Sequence, residues 1–371
     1  MDTIRVSRSR WHGPLAACLC LLALAACGRT ADPDPSKPRL ISIEVPPVDP
    51  QIGLVPSGAA VFEGRLWLTG GNGSAVSFGL KDESRKVELA NGVVAMTKSG
   101  GALWLLRREA GVSPPSDMAA GDTFFVSRLS DGSHQDSVPF RTLDPPQAFA
   151  IDGSTPVVVA TQRLYALPPG AQSWATRAPR GMRIFEMEQV SAAALNGDVY
   201  IASNRGEFGG EFWKVTVATG AIEDLARGAG GTPCPGCESI IDLLPDSALP
   251  ECLLASVGYT HLWAQEGRIL RICRDRVSTV FERPIQIDVA GKPEPGTEPF
   301  FSLAAASPSG FWAAAPGTLY RFGSAEPERI PVPDPKRIFR FFMNRDVPGL
   351  ILLYADGEPA KDAVPGIVPV D

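Results

Sequence analysis

Four cysteines, a close pair of glutamates and two arginine-bearing loops are the residues of this chain whose types and spacing could do chemistry. Cys234, Cys237, Cys252 and Cys273 form an even set, and in an oxidising compartment such a set reads as two disulfides, with three pairings open. Zinc is the first alternative, but structural zinc sites favour two close-spaced pairs, which Cys252 and Cys273 do not supply. Covalent haem attachment at Cys234-Pro-Gly-Cys237 needs a following histidine, and Glu238 stands there. Redox exchange would use the same close pair, yet no βαβ pattern surrounds it. The structural reading is preferred: cross-links pin the glycine-rich insertion 227–251 to the fifth sheet.

Glu186 and Glu188 lie two apart. An extended segment would point them the same way, as a general acid and base require, although a solvated face explains them equally simply. No nucleophile elbow, phosphate-binding glycine loop, dinucleotide fingerprint or zinc-protease helix occurs. Only His134 and His261 follow the first 26 residues, too few for a histidine-rich metal centre. No catalytic residue, metal or cofactor is therefore assigned. Recognition is the remaining chemistry: Arg107, Arg108, Asn204, Arg205, Glu207 and Phe208 sit in loops longer than connection needs, and long loops on rigid scaffolds are where binding residues gather.

Such side chains need a scaffold, and the chain supplies one by repetition. A unit of short apolar strands and glycine-containing turns is clearest from Val190 to Leu225, as strands Val190–Leu195, Asp198–Ser203, Phe212–Val217 and Ala221–Leu225. Phe124–Leu129 followed by Ser130-Asp131-Gly132 repeats its third strand and turn. The segments Leu262–Ile272 and Phe311–Phe322 align with each other, which places Trp67, Trp104, Trp263 and Trp312 at one strand position. Glycine (37) and proline (35) are abundant, which disfavours long helices. Four short strands with one apolar face are marginal alone, and stacking such sheets radially buries both faces.

This pattern, with turns at Asp131-Gly132 and Thr219-Gly220, resembles the β-propeller superfold over residues 39–371, without the signature of a named repeat family. The expectation is an all-β ring of seven four-stranded blades. Inner strands would begin near Ala59, Val93, Gln147, Val190, Cys252, Phe300 and Ile338. The resemblance implies closure by a strand from the other terminus, for which Leu40–Val45 and Val364–Val370 are suited. Propeller lactonases hold axial calcium with Glu, Asn and Asp, but asparagines here are few and mostly turn-like. Quinone-cofactor propellers carry tryptophan-rich motifs, whereas these tryptophans are explained by burial between blades.

At the N-terminus Arg5, Arg8 and Arg10 precede an apolar run, Leu15–Ala26, too short for a permanent span. Leu24-Ala25-Ala26-Cys27 resembles the lipobox of bacterial lipoproteins. That resemblance implies a signal peptide over 1–26, diacylglycerol on Cys27 and a membrane partner through that lipid. Gly28, in place of aspartate, implies the outer membrane facing the periplasm. Residues 27–38 are polar and proline-rich, a flexible tether. Losing Arg5, Arg8, Arg10 and Asp2 with the signal moves the formal net charge from −6 to −8, which argues against a nucleic-acid partner. The expected function is a non-enzymatic binding or scaffold module for an envelope protein, peptide or glycan. The competing expectation is a hydrolase or lyase acting in the propeller channel: carboxylates converging on the axis would favour it, an apolar axis would favour binding.

Overall fold

Short strands with apolar residues on alternate positions have one face to hide, and in this chain they hide it against copies of themselves. The computed structural model describes residues 43–44, 56–70, 73–79, 84–109, 121–184, 189–205, 209–225, 240–261, 264–274, 276–305, 310–316, 318–323, 326–331, 350–353 and 366–370. Every regular element among them is a β-strand, and the chain is a β-propeller.

Six antiparallel blades follow one another. Blade 1 is Pro56–Phe62, Arg65–Gly70, Ala75–Gly79 and Arg85–Leu89. Blade 2 is Val93–Ser99, Ala102–Arg108 and Asp122–Ser130, with its outer strand in two pieces, Ser133–Asp136 and Phe140–Thr142. Blade 3 is Pro146–Asp152, Thr155–Ala160, Leu164–Ala166 and Ala175–Arg177. Blade 4 is Gln189–Leu195, Asp198–Asn204, Gly210–Thr216 and Ile222–Asp224. Blade 5 is Ile240–Pro245, Cys252–His261, Ala264–Cys273 and Arg276–Phe281. Blade 6 is Ser302–Ala305, Phe311–Ala315, Thr318–Phe322 and Glu328–Pro331.

A three-stranded sheet joins the two ends of the domain: Ile43–Glu44 pairs Gly366–Val370, which pairs Leu350–Leu353. These are the terminal strands anticipated for a seventh blade. The inner strand expected from Ile338 lies outside the described residues. So do Cys27 and the segment 1–37, while the sheets all belong to the compact unit Pro38–Asp371.

The inner strands of blades 1 to 6 lie side by side in chain order, and each interface between neighbours is one apolar cluster. Trp67, Val93 and Leu105 pack between blades 1 and 2. Trp104, Phe140, Val158 and Tyr165 pack between blades 2 and 3. Val157, Ile201 and Trp213 fill the next interface, Tyr200, Phe212 and Leu253 the one after, and Leu254, Phe300 and Tyr320 the last described. Each fully buried aliphatic or aromatic side chain contributes about 1.5–3 kcal/mol over its exposed form, so the blades are held by their neighbours more than by themselves.

Blade 5 departs from the expected layout. Its inner strand is Ile240–Pro245, and Cys252 opens the second strand instead of the first. A bulge between Ile240 and Asp242 breaks the alternation that would have revealed that strand. The alignment of Leu262–Ile272 with Phe311–Phe322 fails for the same reason. Residues 264–273 are a third strand alone, whereas 311–322 hold a second and a third. Trp263 itself lies outside the described residues.

Cys252 and Cys273 face each other across the second and third strands of blade 5 and are disulfide-bonded, with Cα atoms 4.3 Å apart. This corrects the expectation that these cysteines tie down the insertion 227–251: the bond staples two adjacent strands, and neither sulfur is free to reach it. Cys234 and Cys237 lie outside the described residues.

Candidate functional site

Antiparallel order fixes where connections emerge. First-to-second and third-to-fourth strand turns share one end of the ring; second-to-third turns and blade-to-blade links share the other. In blades 1 to 6 the four longest connections are 109–121, 178–188, 225–239 and 282–301, and all four fall at this second end. The first end carries two-residue turns at Glu63-Gly64, Asp131-Gly132 and Asn196-Gly197, where both residues have positive φ.

The connection 282–301 contains an element that the sequence pattern did not disclose, a hairpin of Pro284–Val289 and Lys292–Thr297. It packs on the long third strand of blade 5. Two glycines of blade 5 permit this crossing. A Cβ on Gly267 would lie 2.2 Å from the Glu298 carbonyl oxygen, and one on Gly258 would lie 2.4 Å from that of Phe300. The Thr297 hydroxyl accepts a hydrogen bond from the Gly267 N–H at 2.8 Å.

At the base of the hairpin, Arg283 donates to Glu298 at 3.0 Å and to the Tyr320 hydroxyl at 3.1 Å, and Tyr320 donates to the same Glu298 oxygen. Tyr320 is fully buried and Glu298 nearly so. Burial first, then the Glu298 charge, pushes the Tyr320 hydroxyl above its ordinary pKa. This trio looks chemical but no substrate can reach Tyr320, so its role is to fasten the hairpin to blade 6.

The anticipated recognition residues stand at this same end, on two blades separated by a third. Arg107 and Arg108 close the second strand of blade 2. The Arg107 guanidinium lies over Phe125, 4.8 Å from its centroid, and donates to the Ser127 hydroxyl at 3.3 Å. Exposed Arg108 pairs with Asp122 at 3.4 Å, bridging the two ends of loop 109–121. Asn204 is buried at the end of the blade 4 second strand. The Arg205 N–H donates to the Gly209 carbonyl at 2.8 Å, and its side chain pairs with Glu211 at 3.3 Å. Arg205 thus braces the loop that follows it, whereas Arg107, placed in a strand instead of a loop, ties the second strand of blade 2 to the third. Glu207 and Phe208 lie outside the described residues, as do Glu186 and Glu188.

The axis holds a cavity of about 470 Å³ between the inner strands of blades 1 to 5, at the end bearing the tight turns. Alanines from blades 1, 3 and 4, with Met96, Phe149, Ile151 and Leu243, give it an apolar wall. Among the described residues that line it, Lys98 is the one with a charged side chain. Among the described residues no group of three His, Cys, Asp or Glu side chains is placed to hold a metal.

A carboxylate precedes the cavity-lining Leu243 on the blade 5 inner strand. Asp242, at the bulge of the blade 5 inner strand, accepts from the Leu303 N–H of blade 6 at 2.8 Å, from the Leu243 N–H at 2.9 Å and from the Ser302 hydroxyl at 3.4 Å. Enclosure raises its pKa to about 6, against the lowering pull of these donors and of Ser191 from blade 4. Asp242 thereby bridges three blades, a structural use of a carboxyl group.

No family model matches the chain, and no curated protein matches it. Solved structures do. The chain is similar to the extracellular domain of a putative hybrid two-component system from B. thetaiotaomicron, at TM-score 0.53 and 12% identity, covering 90% of this chain and 39% of that one. The chain therefore spans about two fifths of that protein's length. It is similar to YCF48 bound to D1 peptide at TM-score 0.53 and 12% identity, over 90% and 95% of the two chains. It is also similar to a chain of the Mitotic Checkpoint Complex at TM-score 0.57 and 10% identity, over 99% of each. All share the propeller. At such identities that likeness concerns architecture alone.

Proposed function

We propose that this propeller is a lipid-anchored module of the bacterial envelope that binds a partner without transforming it, through the end of the ring that carries the long connections. The observation that carries the reading is the segregation of all four longest connections to that end, with one of them built into a braced hairpin. A rigid projection at a ring end costs little ordering entropy when a partner docks. The axial cavity supports the same reading, since its described wall is largely alanine and other apolar side chains. A protein or peptide suits this end better than a glycan, because the hairpin exposes Lys292 and Glu294 on a strand, a surface for ion pairs.

Anchoring through Cys27 and an outer-membrane location facing the periplasm belong to the same proposal and rest on Leu24-Ala25-Ala26-Cys27 and Gly28. The binding reading is tested by pull-down from the protein's own membranes with the full chain and with the double variant Lys292→Glu/Glu294→Lys. The expected result is a partner retained by the native chain and depleted about tenfold with the charge-reversed one. Equal recovery by both, with melting temperatures unchanged, would remove the hairpin from the interface.

A further inference from the structure

A cross-strand trio occurs in the outer half of blades 4 and 6, and blade 2 carries it with one position changed. An aromatic on the second strand faces a cation on the third, which faces the fourth strand: Tyr200, Lys214 and Glu223 in blade 4, Trp312, Arg321 and Glu328 in blade 6. In both, the cation is neutralised. Lys214 lies 3.5 Å from Asp198 and 3.7 Å from Glu223, and Arg321 lies 3.9 Å from Glu328. Blade 5 has leucine in the aromatic place, and its Arg271 pairs with Asp246 at 2.8 Å.

In blade 2 the trio is Trp104, Arg128 and Gln135. The Arg128 guanidinium lies over the Trp104 ring, 5.4 Å from its centroid. An amide replaces the carboxylate opposite it, and the buried Nε has no hydrogen-bond partner. The neighbouring Asp136 also lines this surface, and one of its carboxylate oxygens accepts from Ser127 at 2.6 Å and meets His134 at 2.9 Å. The surface opens at this point into a groove of about 490 Å³ between blades 2 and 3, at the end away from the long connections. Its far wall is the loop that carries Leu167, Pro168 and Pro169.

We propose that this groove is a second binding site, which takes a carboxylate borne on an apolar peptide, with Arg128 as its receptor. The site stands independently of the reading of the opposite end. A guanidinium presents a planar fork of donors matched to a carboxylate, and stacking on Trp104 holds that plane in place. Apolar walls of proline, leucine and valine suit an aliphatic body beside the charge. A sugar would need an open aromatic face, and Trp104 is only 7% exposed beneath Arg128.

The test is isothermal titration calorimetry with the purified full chain and three unlabelled, N-acetylated tetrapeptides. These are Gly-Ala-Val-Leu with a free C-terminus, the same peptide amidated, and amidated Gly-Ala-Glu-Leu, which moves the charge to a side chain. Saturable binding of either carboxylate-bearing peptide, about tenfold or more tighter than the neutral amide, is expected and identifies the source of the carboxylate. Arg128→Met should remove that preference while keeping the stem on Trp104. Gln135→Glu restores the carboxylate found in blades 4 and 6, and should abolish binding with no loss in melting temperature. The proposal is overturned if the amide binds equally, if no peptide binds at millimolar concentration, or if Gln135→Glu binds as the native chain does.

Discussion

Asp242 makes stability depend on pH in a direction opposite to that of most carboxylates. Its folded pKa, raised to about 6, lies above the ordinary value of 3.8. Its contribution is therefore complete below about pH 4 and is lost as pH rises through 6, by about 3 kcal/mol at most. Asp242→Asn keeps an acceptor for the Leu303 N–H and carries no charge. Thermal melts between pH 4 and 8 should show the variant level with or below the native chain at pH 4 and above it at pH 8. Parallel curves would contradict this account. A second residue offers a simpler gain. Ala290 has φ of 52° in the turn of the inserted hairpin, followed by Gly291 at 81°, a pairing of positive φ values that favours asparagine over alanine at the first position. Ala290→Asn should stabilise by about 0.5–1 kcal/mol, measured by denaturant titration. The same alanine explains why the hairpin was illegible in sequence: Ala-Gly is a weak turn signal, and Pro293 and Pro295 in the returning strand argue against pairing.

Among the elements, blade 5 shows what pattern reading catches and what it misses. Its second and third strands run ten residues each, longer than in blade 4, and the Cys252–Cys273 bond closes them with a sequence separation of 21. Loop-closure entropy for that separation is worth about 3 kcal/mol, so Cys252→Ala/Cys273→Ala should lower the unfolding free energy by about 2–3 kcal/mol in urea. A change below half a kcal/mol would mean the reduced hairpin holds itself together through strand pairing alone. Spacing showed that these cysteines could bond and left their pairing open, because pairing follows from which strands are neighbours. The aromatic–cation–carboxylate trio was legible in principle. Lys214 and Glu223, or Arg321 and Glu328, look like ordinary surface charges until the register of three strands sets them opposite one another.

For the whole molecule, the ring concentrates its long connections at one end, and the membrane anchor is the remaining question of placement. If residues 27–38 are the tether proposed above, their polar, proline-rich sequence suits an extended linker. Cys27→Ser should abolish palmitate labelling in growing cells and release the chain from the membrane pellet. A variant that still labels, or still pellets, would refute the anchor.

By itself the sequence determined the class of fold. Alternating apolar strands in a repeating unit have no stable solution except packing on copies of themselves, and Val190–Leu225 states that unit almost strand for strand. It also determined the absence of recognisable catalytic motifs, which are local in chain and visible as such. Tertiary structure alone decided that Arg107 ties two strands of blade 2 together, that Asp242 bridges three blades, and that Gln135 faces Arg128 where blades 4 and 6 have a glutamate. Each of those facts depends on which strands lie beside which, and proximity across sheets leaves no periodicity along the chain.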